Sequence, residues 1–246
     1  MTEPLFLGDL DDPAVGDDVT LTGDEGRHAA DVRRIKPGEV VLISDGAGLA
    51  VRGPVTVAGK GTITIRVDEV LRTPEGRCRY IAVQALPKGD RAEQAVEAMT
   101  EVGVDQIIPW QAERSVVRWA ADRVERGLAR WRSTAREAAK QCRRFRVPVV
   151  TAPLTTAELA LCVSQASLAL VLHESASAPL ARVELPEAGD VLFIVGPEGG
   201  LTDEEVETFV SAGAQAVRIN DAVLRTSTAG VVALAQLQAL GLRASD

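Results

Sequence analysis

The stretch Asp190–Leu201, reading DVLFIVGPEGGL, constrains the fold more than any other part of the chain. Val191, Leu192, Phe193, Ile194 and Val195 are consecutive apolar residues rich in β-branched and aromatic types. An apolar run that short, closed by Gly196-Pro197, reads as a strand buried on both faces, as in a parallel sheet. Gly196, Pro197, Glu198, Gly199 and Gly200 then turn the chain tightly. Thr202, with Glu205 three residues on, carries the capping-box signature of a helix start. In an open α/β sheet such a turn lies at the carboxyl end of a strand, where ligands bind. Its glycines let a ligand approach the backbone closely, although a βα turn without a ligand makes the same demand. A second unit follows: the apolar segment Ala216–Ile219, the loop Asn220–Gly230 (NDAVLRTSTAG), and an apolar helix, Val231–Leu240. Two successive strand-turn-helix units with atypical turns are harder to explain as mere connections.

The chain before these units divides by pattern. Residues 1–72 read as a small β-rich barrel domain, with strand-like runs at Asp18–Leu21, Val40–Ser44, Leu49–Val51 and Thr62–Val70 between Gly, Pro and Asp turns. Within it, Gly26–Arg34 reads as one helical segment. Arg72–Arg77, containing Pro and Gly, reads as the linker. Residues 73–246 then alternate strands and helices: strand Tyr80–Leu86, helix Arg91–Val102, strand Asp105–Trp110 and a long basic helix, Trp119–Gln141. A short strand at Val149-Val150, a helix at Thr156–Val163 and a strand at Leu168–Leu172 complete the series. Such alternation argues for an α/β domain with a mostly parallel sheet covered by helices on both faces.

Charge distribution points to a partner. The chain has a net charge of −8, yet between Ala112 and Arg146 ten arginines and one lysine face four acids. That asymmetry suits either a solvated helix balanced by neighbouring acids, the commoner case for one helix, or an anionic ligand meeting one face, and the excess of Arg over Lys favours bidentate phosphate contact. A second basic cluster lies at Arg27, Arg33, Arg34 and Lys36. No stretch approaches the roughly 20 apolar residues of a membrane span. The N-terminal MTEPLFLGDLDD lacks the features of a signal peptide. Cys78, Cys142 and Cys162 have no metal-ligand spacing and read as ordinary thiols of a reducing, cytoplasmic environment.

These residues carry a resemblance. HAADVRRIKPGE (His28–Glu39), the segment Ala85–Arg118, RWRSTAREAAKQCRRFRVP (Arg130–Pro148), LVLHES (Leu170–Ser175), IVGPEGGLTDEE (Ile194–Glu205) and LRTSTA (Leu224–Ala229) occur in the order found in one family. The chain resembles the SPOUT class of RNA methyltransferases, and within it the bacterial family that methylates N3 of one uridine in 16S ribosomal RNA. It departs from the family at Ile219-Asn220-Asp221-Ala222, where Leu-Gly-Pro-Arg or similar is more usual. The resemblance implies a parallel sheet with a C-terminal trefoil knot, a topology that base rates alone would never suggest. It also implies an N-terminal PUA-like barrel, a homodimer, and S-adenosylmethionine bound by the loops Leu172–Glu174, Gly196–Leu201 and Ile219–Thr226. No metal is implied. The expected substrate is 16S ribosomal RNA or the small ribosomal subunit.

Side-chain roles follow from the chemistry. Gly196, Gly199 and Gly200 suit backbone approach to the cofactor, and Leu172, Ile219 and Leu224 would wall its adenine. His173 and Thr226 complete the cofactor candidates. Loss of the uridine imide proton leaves an anion, and Arg225 is the candidate cation to stabilise it. Glu198 is the candidate to take that proton or to orient the base. For RNA the candidates are Arg27, Arg33, Arg34, Lys36, Lys88, Arg114, Arg136, Arg143 and Arg144. Two other classes remain open: a phosphate-binding nucleotide enzyme, which the lack of a G-x-x-x-x-G-K-[ST] motif disfavours, and a non-catalytic RNA-binding module.

Overall fold

A computed structural model of the chain describes residues 3–243. Two compact units emerge: Met1–Glu75 with Glu137–Val147, and Gly76–Arg136 with Pro148–Asp246. Glu137–Val147, assigned from sequence to the second domain, therefore groups with the first.

The first unit is a curled six-stranded sheet. Its strands are β1 (Leu5–Leu7), β2 (Asp18–Leu21), β3 (Val40–Ser44), β4 (Leu49–Gly59), β5 (Thr62–Arg66) and β6 (Glu69–Arg72). The order is β1-β3-β4-β5-β2, with β6 on β4. The first half of β4 pairs with β3 and β6, and its second half pairs with β5 across a bulge at Val55/Val57. One bent strand thus serves both halves of the sheet, which lets apolar side chains converge inside: Phe6, Val41, Ile43, Val51, Val55, Ile63 and Ile65 are buried. This strand runs eight residues beyond the Leu49–Val51 expected for it, and β1 is an element the sequence does not signal. The helical segment begins at Gly23, three residues earlier than expected, as α1 (Gly23–Arg27), and continues as a π-helical turn over His28–Val32. Within this unit the segment 137–147 is held by Ser44 and Gly48, which donate to the Phe145 carbonyl, and by Lys140, whose ammonium lies 2.9 Å from Glu25.

The second unit is a six-stranded, all-parallel sheet. Its elements are β7 (Cys78–Ala85), α2 (Arg91–Val102), β8 (Gln106–Trp110), α3 (Ala121–Cys142, whose residues from Glu137 belong to the first unit), β9 (Val149–Val150), α4 (Thr156–Gln165), β10 (Leu168–Leu172), β11 (Gly189–Val195), α5 (Asp203–Ser211), β12 (Gln215–Val217) and α6 (Thr226–Arg243). Strand order is β12-β10-β11-β7-β8-β9. The order runs outward in one direction from β7 through β9 and in the other through β11, β10 and β12, so the junction of β7 and β11 is a topological switch point. Leu168–Leu172 and Val191–Val195 are buried throughout, as continuous apolar runs between two helical layers must be. Helix α2 buries Ala92, Ala95, Val96 and Met99 at helical spacing and ends at Gly103, whose φ of 114° is left-handed. Helix α6 begins at Thr226, five residues before the expected Val231, and packs on α2, β11 and β7. To get there from the edge strand β12 the chain passes the β10–β11 connection, which bonds to it through Leu180 and Arg218. That return is what the knotted C-terminus implied by the resemblance requires. Among the described residues no helix is long and apolar enough to cross a membrane.

Candidate active site

The carboxyl ends of β10 and β11 open into a cavity of about 460 Å3. Leu172 ends β10, Gly196 follows β11, and the start of α6 supplies Leu224, Arg225 and Thr226. Gly199, Gly200, Leu201 and Glu198 close the cavity from the glycine turn, and Glu174, Arg91 and Arg114 complete its rim. Every lining residue belongs to the second unit.

The turn is built by three distinct constraints. Gly200 has φ +72°, a left-handed conformation, and its N–H donates to the Pro197 carbonyl. A Cβ on Gly199 would lie 3.0 Å from the Cβ of Arg114, so the backbone of the turn and of Arg114 meet there. Only Gly200 needs glycine for its conformation; at Gly199 a side chain would crowd Arg114. Thr202 and Glu205 form the expected capping box, at 3.1 and 3.0 Å. Glu205 also has a role that sequence reasoning missed: it is buried and accepts the Glu113 N–H at 2.8 Å, tying the turn to the segment after β8.

Arg114, expected at RNA, lies on the cavity rim and also braces the turn. Its guanidinium donates to the Gly199 and Leu201 carbonyls, at 3.3 and 3.1 Å, so it holds the turn. Thr226, expected at the cofactor, lines the cavity and also braces it. Its hydroxyl donates to the Gly196 carbonyl at 2.8 Å and accepts from buried Gln84 at 2.9 Å. The start of α6 is thereby fixed to the end of β11, and the hydroxyl is taken up in that bond. His173 and Ile219 line a smaller adjoining pocket of about 70 Å3 together with Leu172 and Leu224. The His173 ring bonds to Ser175 through Nδ1 at 2.8 Å, a local turn contact.

Glu198 is anchored from the start of α2. It accepts the Lys88 backbone N–H at 3.0 Å and the Arg91 guanidinium at 2.9 Å. Burial pushes its carboxyl up, but the Lys88 and Glu198 backbone N–H groups and Arg91 together outweigh that and hold it below the usual carboxylate range. A carboxylate so held is a weak proton acceptor at neutral pH and a firm hinge for the turn. Arg91 had no separate signal in the sequence beyond opening α2. Because the depressed value favours the charged form, the stabilisation is present above the ordinary carboxylate pKa and disappears as pH falls through the lowered value. Ligand affinity in this cavity should therefore hold flat below the ordinary carboxylate range before dropping. Glu198→Gln, which loses the charge pair with Arg91, should weaken binding severalfold at pH 7 and remove that acid limb. Calorimetric titration across pH reads both effects.

Arg225 is exposed on the cavity rim, and no carboxylate pairs with it among the described residues. Its backbone carbonyl accepts from Thr228 and Ala229, which fixes the residue at the start of α6. The remaining basic candidates are dispersed. Arg27 pairs with Asp24, and Arg27, Arg33, Arg34 and Lys36 are exposed on the first unit, as is Arg143 at φ +60°. Arg144 is half-buried there, and Arg136 is exposed on the second unit.

The family pattern of RNA methyltransferase domains matches residues 74–238, and that of RNA methyltransferase PUA domains matches residues 21–68. A ribosomal RNA small subunit methyltransferase E of Mycobacterium bovis is 43% identical over 235 residues, 94% of this chain and 90% of that protein. The Bacillus subtilis protein of the same name is 31% identical, across 89% of this chain and 88% of its own length. The crystal structure of a ribosomal RNA small subunit methyltransferase E from Neisseria gonorrhoeae bound to S-adenosylmethionine has a TM-score of 0.85 and 30% identity, covering 97% of this chain and 98% of that one.

Proposed function

The chain belongs to the family of ribosomal RNA small subunit methyltransferase E proteins, and from that premise we propose that it transfers a methyl group from S-adenosylmethionine to N3 of a uridine in 16S ribosomal RNA. The observation that carries the reading is the cavity where the loops after β10, β11 and β12 converge. Its volume lies in the range of cofactor pockets. Its walls combine apolar Leu172, Leu201 and Leu224 with the backbone of a glycine turn, as an adenosine needs. Glu174 and Glu198 set negative charge beside the place for a cationic donor. When bound, S-adenosylmethionine supplies an electrophilic methyl group on its sulfonium.

The chain's own residues do the rest by position and charge. The anchored turn, held by Arg114, Arg91 and the Glu205 carboxylate, presents a fixed backbone rather than one that must reorganise. Arg225 projects a positive charge where the uridine imide must shed its proton, and favours the resulting anion. Glu198 acts as a positioning group, because its carboxylate is already occupied by Lys88 and Arg91.

The substrate is 16S ribosomal RNA or the small ribosomal subunit. The protein acts as a homodimer in the cytoplasm; exposed Val223, on the loop beside the cavity, supports an apolar contact with a second copy. Incubation with labelled S-adenosylmethionine and small subunits from cells lacking the protein should transfer label to one uridine, located by mass spectrometry. A protein that binds ATP or NAD in calorimetry and not S-adenosylmethionine, or that binds RNA and transfers no label, would overturn the reading.

A further inference from the structure

A second cavity, of about 400 Å3, opens on the same unit and shares no lining residue with the first. Arg91 lines the first while Gly89 and Ala92 line the second, so the start of α2 borders both. The floor of the second is aromatic. Trp119 lies against Gly127 inside α3, where a Cβ would come within 2.6 Å of the indole atoms Cε2 and Cζ2. Glycine weakens a helix interior, and here its absent side chain is the space the indole occupies. Trp131 meets the same indole edge-on, with ring centroids 5.4 Å apart at 74°. The indole is therefore fixed from two sides and half-exposed at the cavity.

Four arginines surround it: Arg118, Arg123, Arg126 and Arg130. Arg130 is held by Glu93 at 2.5 Å and Asp90 at 3.6 Å, and Arg118 reaches the Glu113 carbonyl at 3.4 Å. Arg123 and Arg126 are exposed and pair with no carboxylate among the described residues. A rigid aromatic face flanked by unpaired guanidinium groups matches the two faces of an unpaired nucleotide, its base and its phosphates.

Resting on the RNA methyltransferase reading, we propose that this groove seats a single-stranded nucleotide of the substrate RNA other than the methylated one. Its base stacks on Trp119 and its phosphates meet Arg123 and Arg126. The groove so placed fixes the RNA on one side of the α2 start while the target uridine enters the first cavity on the other.

The test begins with tryptophan fluorescence. Trp110 and Trp131 are fully buried, so a quench on adding a single-stranded RNA of about ten nucleotides, the order of one single-strand site, reports Trp119. Native protein should show the quench and Trp119→Phe should lose it. In methyl transfer to small subunits, Trp119→Phe should raise KM for RNA less than Trp119→Ala does, because a phenyl ring still stacks. Trp119→Ala and the double variant Arg123→Ala/Arg126→Ala should each raise KM for RNA by about tenfold, with S-adenosylmethionine affinity unchanged. The double variant should also flatten the salt dependence of RNA binding by about 1.4 in logarithmic slope. The double variant keeps the aromatic packing intact, so it remains decisive if Trp119→Ala folds poorly. Unchanged RNA affinity in the double variant and no quench would overturn the proposal. So would a Trp119 signal that follows protein concentration and ignores RNA, since a second copy of the chain would then occupy the groove. Fluorescence and RNA affinity require no turnover. A chain that methylates but shows no RNA response here loses only this proposal, and one that binds RNA here without transferring methyl loses only the reading above.

Discussion

Replacing Arg225 with alanine should lower kcat for methyl transfer by about 10²–10³-fold, leave S-adenosylmethionine affinity nearly unchanged, and leave the melting temperature equal or slightly higher. The last outcome is the informative one. Arg225 stands immediately before Thr226, the first residue of α6, and a cation there opposes the positive end of the helix dipole. No carboxylate compensates for it among the described residues. A residue kept solely for stability would not be cationic at that place. In the proposed reaction, the same helix terminus that makes Arg225 unfavourable to the empty fold would add its partial positive charge to the guanidinium and favour an imide that must become an anion. Arg225→Lys should recover part of the rate, because the charge returns without the planar fork. Steady-state transfer of labelled methyl to small subunits, paired with thermal unfolding, measures all of this. Native turnover in Arg225→Ala would take the residue out of the reaction, and a fall in melting temperature alongside the rate would make it a structural residue.

What the sequence makes legible follows the range of the interactions. The core strands of the second unit were legible because burial on both faces writes an unbroken apolar run, as in Leu168–Leu172 and Val191–Val195. The Thr202/Glu205 capping box was legible because its partners are three residues apart. Contacts between distant segments left no such trace. Nothing in the spelling of Glu205 tells that the same carboxylate also receives the Glu113 N–H, or that Gln84 reaches Thr226. Arg114 looked like an RNA contact because charge was the only property the sequence exposed; its use on the carbonyls of the glycine turn is tertiary. In the first unit Gly53-Pro54 has the composition of a turn, and the sheet overrides that local preference by running β4 straight through it.

Gly53→Ala should cost the first unit at least about 5 kcal/mol, as much as the whole stability of a marginal domain. At Gly53 the pairing of β4 changes: residues 49–52 pair with β6, and Val55 onward pairs with β5. The link from β5 to β6 must cross the strand at that point, and it does so in contact. A Cβ on Gly53 would lie 1.8 Å from the Arg66 carbonyl oxygen and 2.8 Å from its carbon. Neither neighbour is a flexible side-chain tip; both are backbone, held by bonds such as Asp68 N–H to the Arg52 carbonyl at 2.8 Å. The extra methyl therefore has to separate the two halves of the sheet, exposing Val51, Val55, Ile63 and Ile65. The cavity of the second unit contains none of these residues. Hydrogen exchange should accordingly show lost protection over residues 40–66, while S-adenosylmethionine still binds and methyl transfer to small subunits drops, since the matched PUA region 21–68 no longer folds. Pro54→Ala, at the next residue but with a Cβ already in place, should be far milder. Equal damage from both substitutions would mean that strand continuity, not the crossing at Gly53, holds this sheet together.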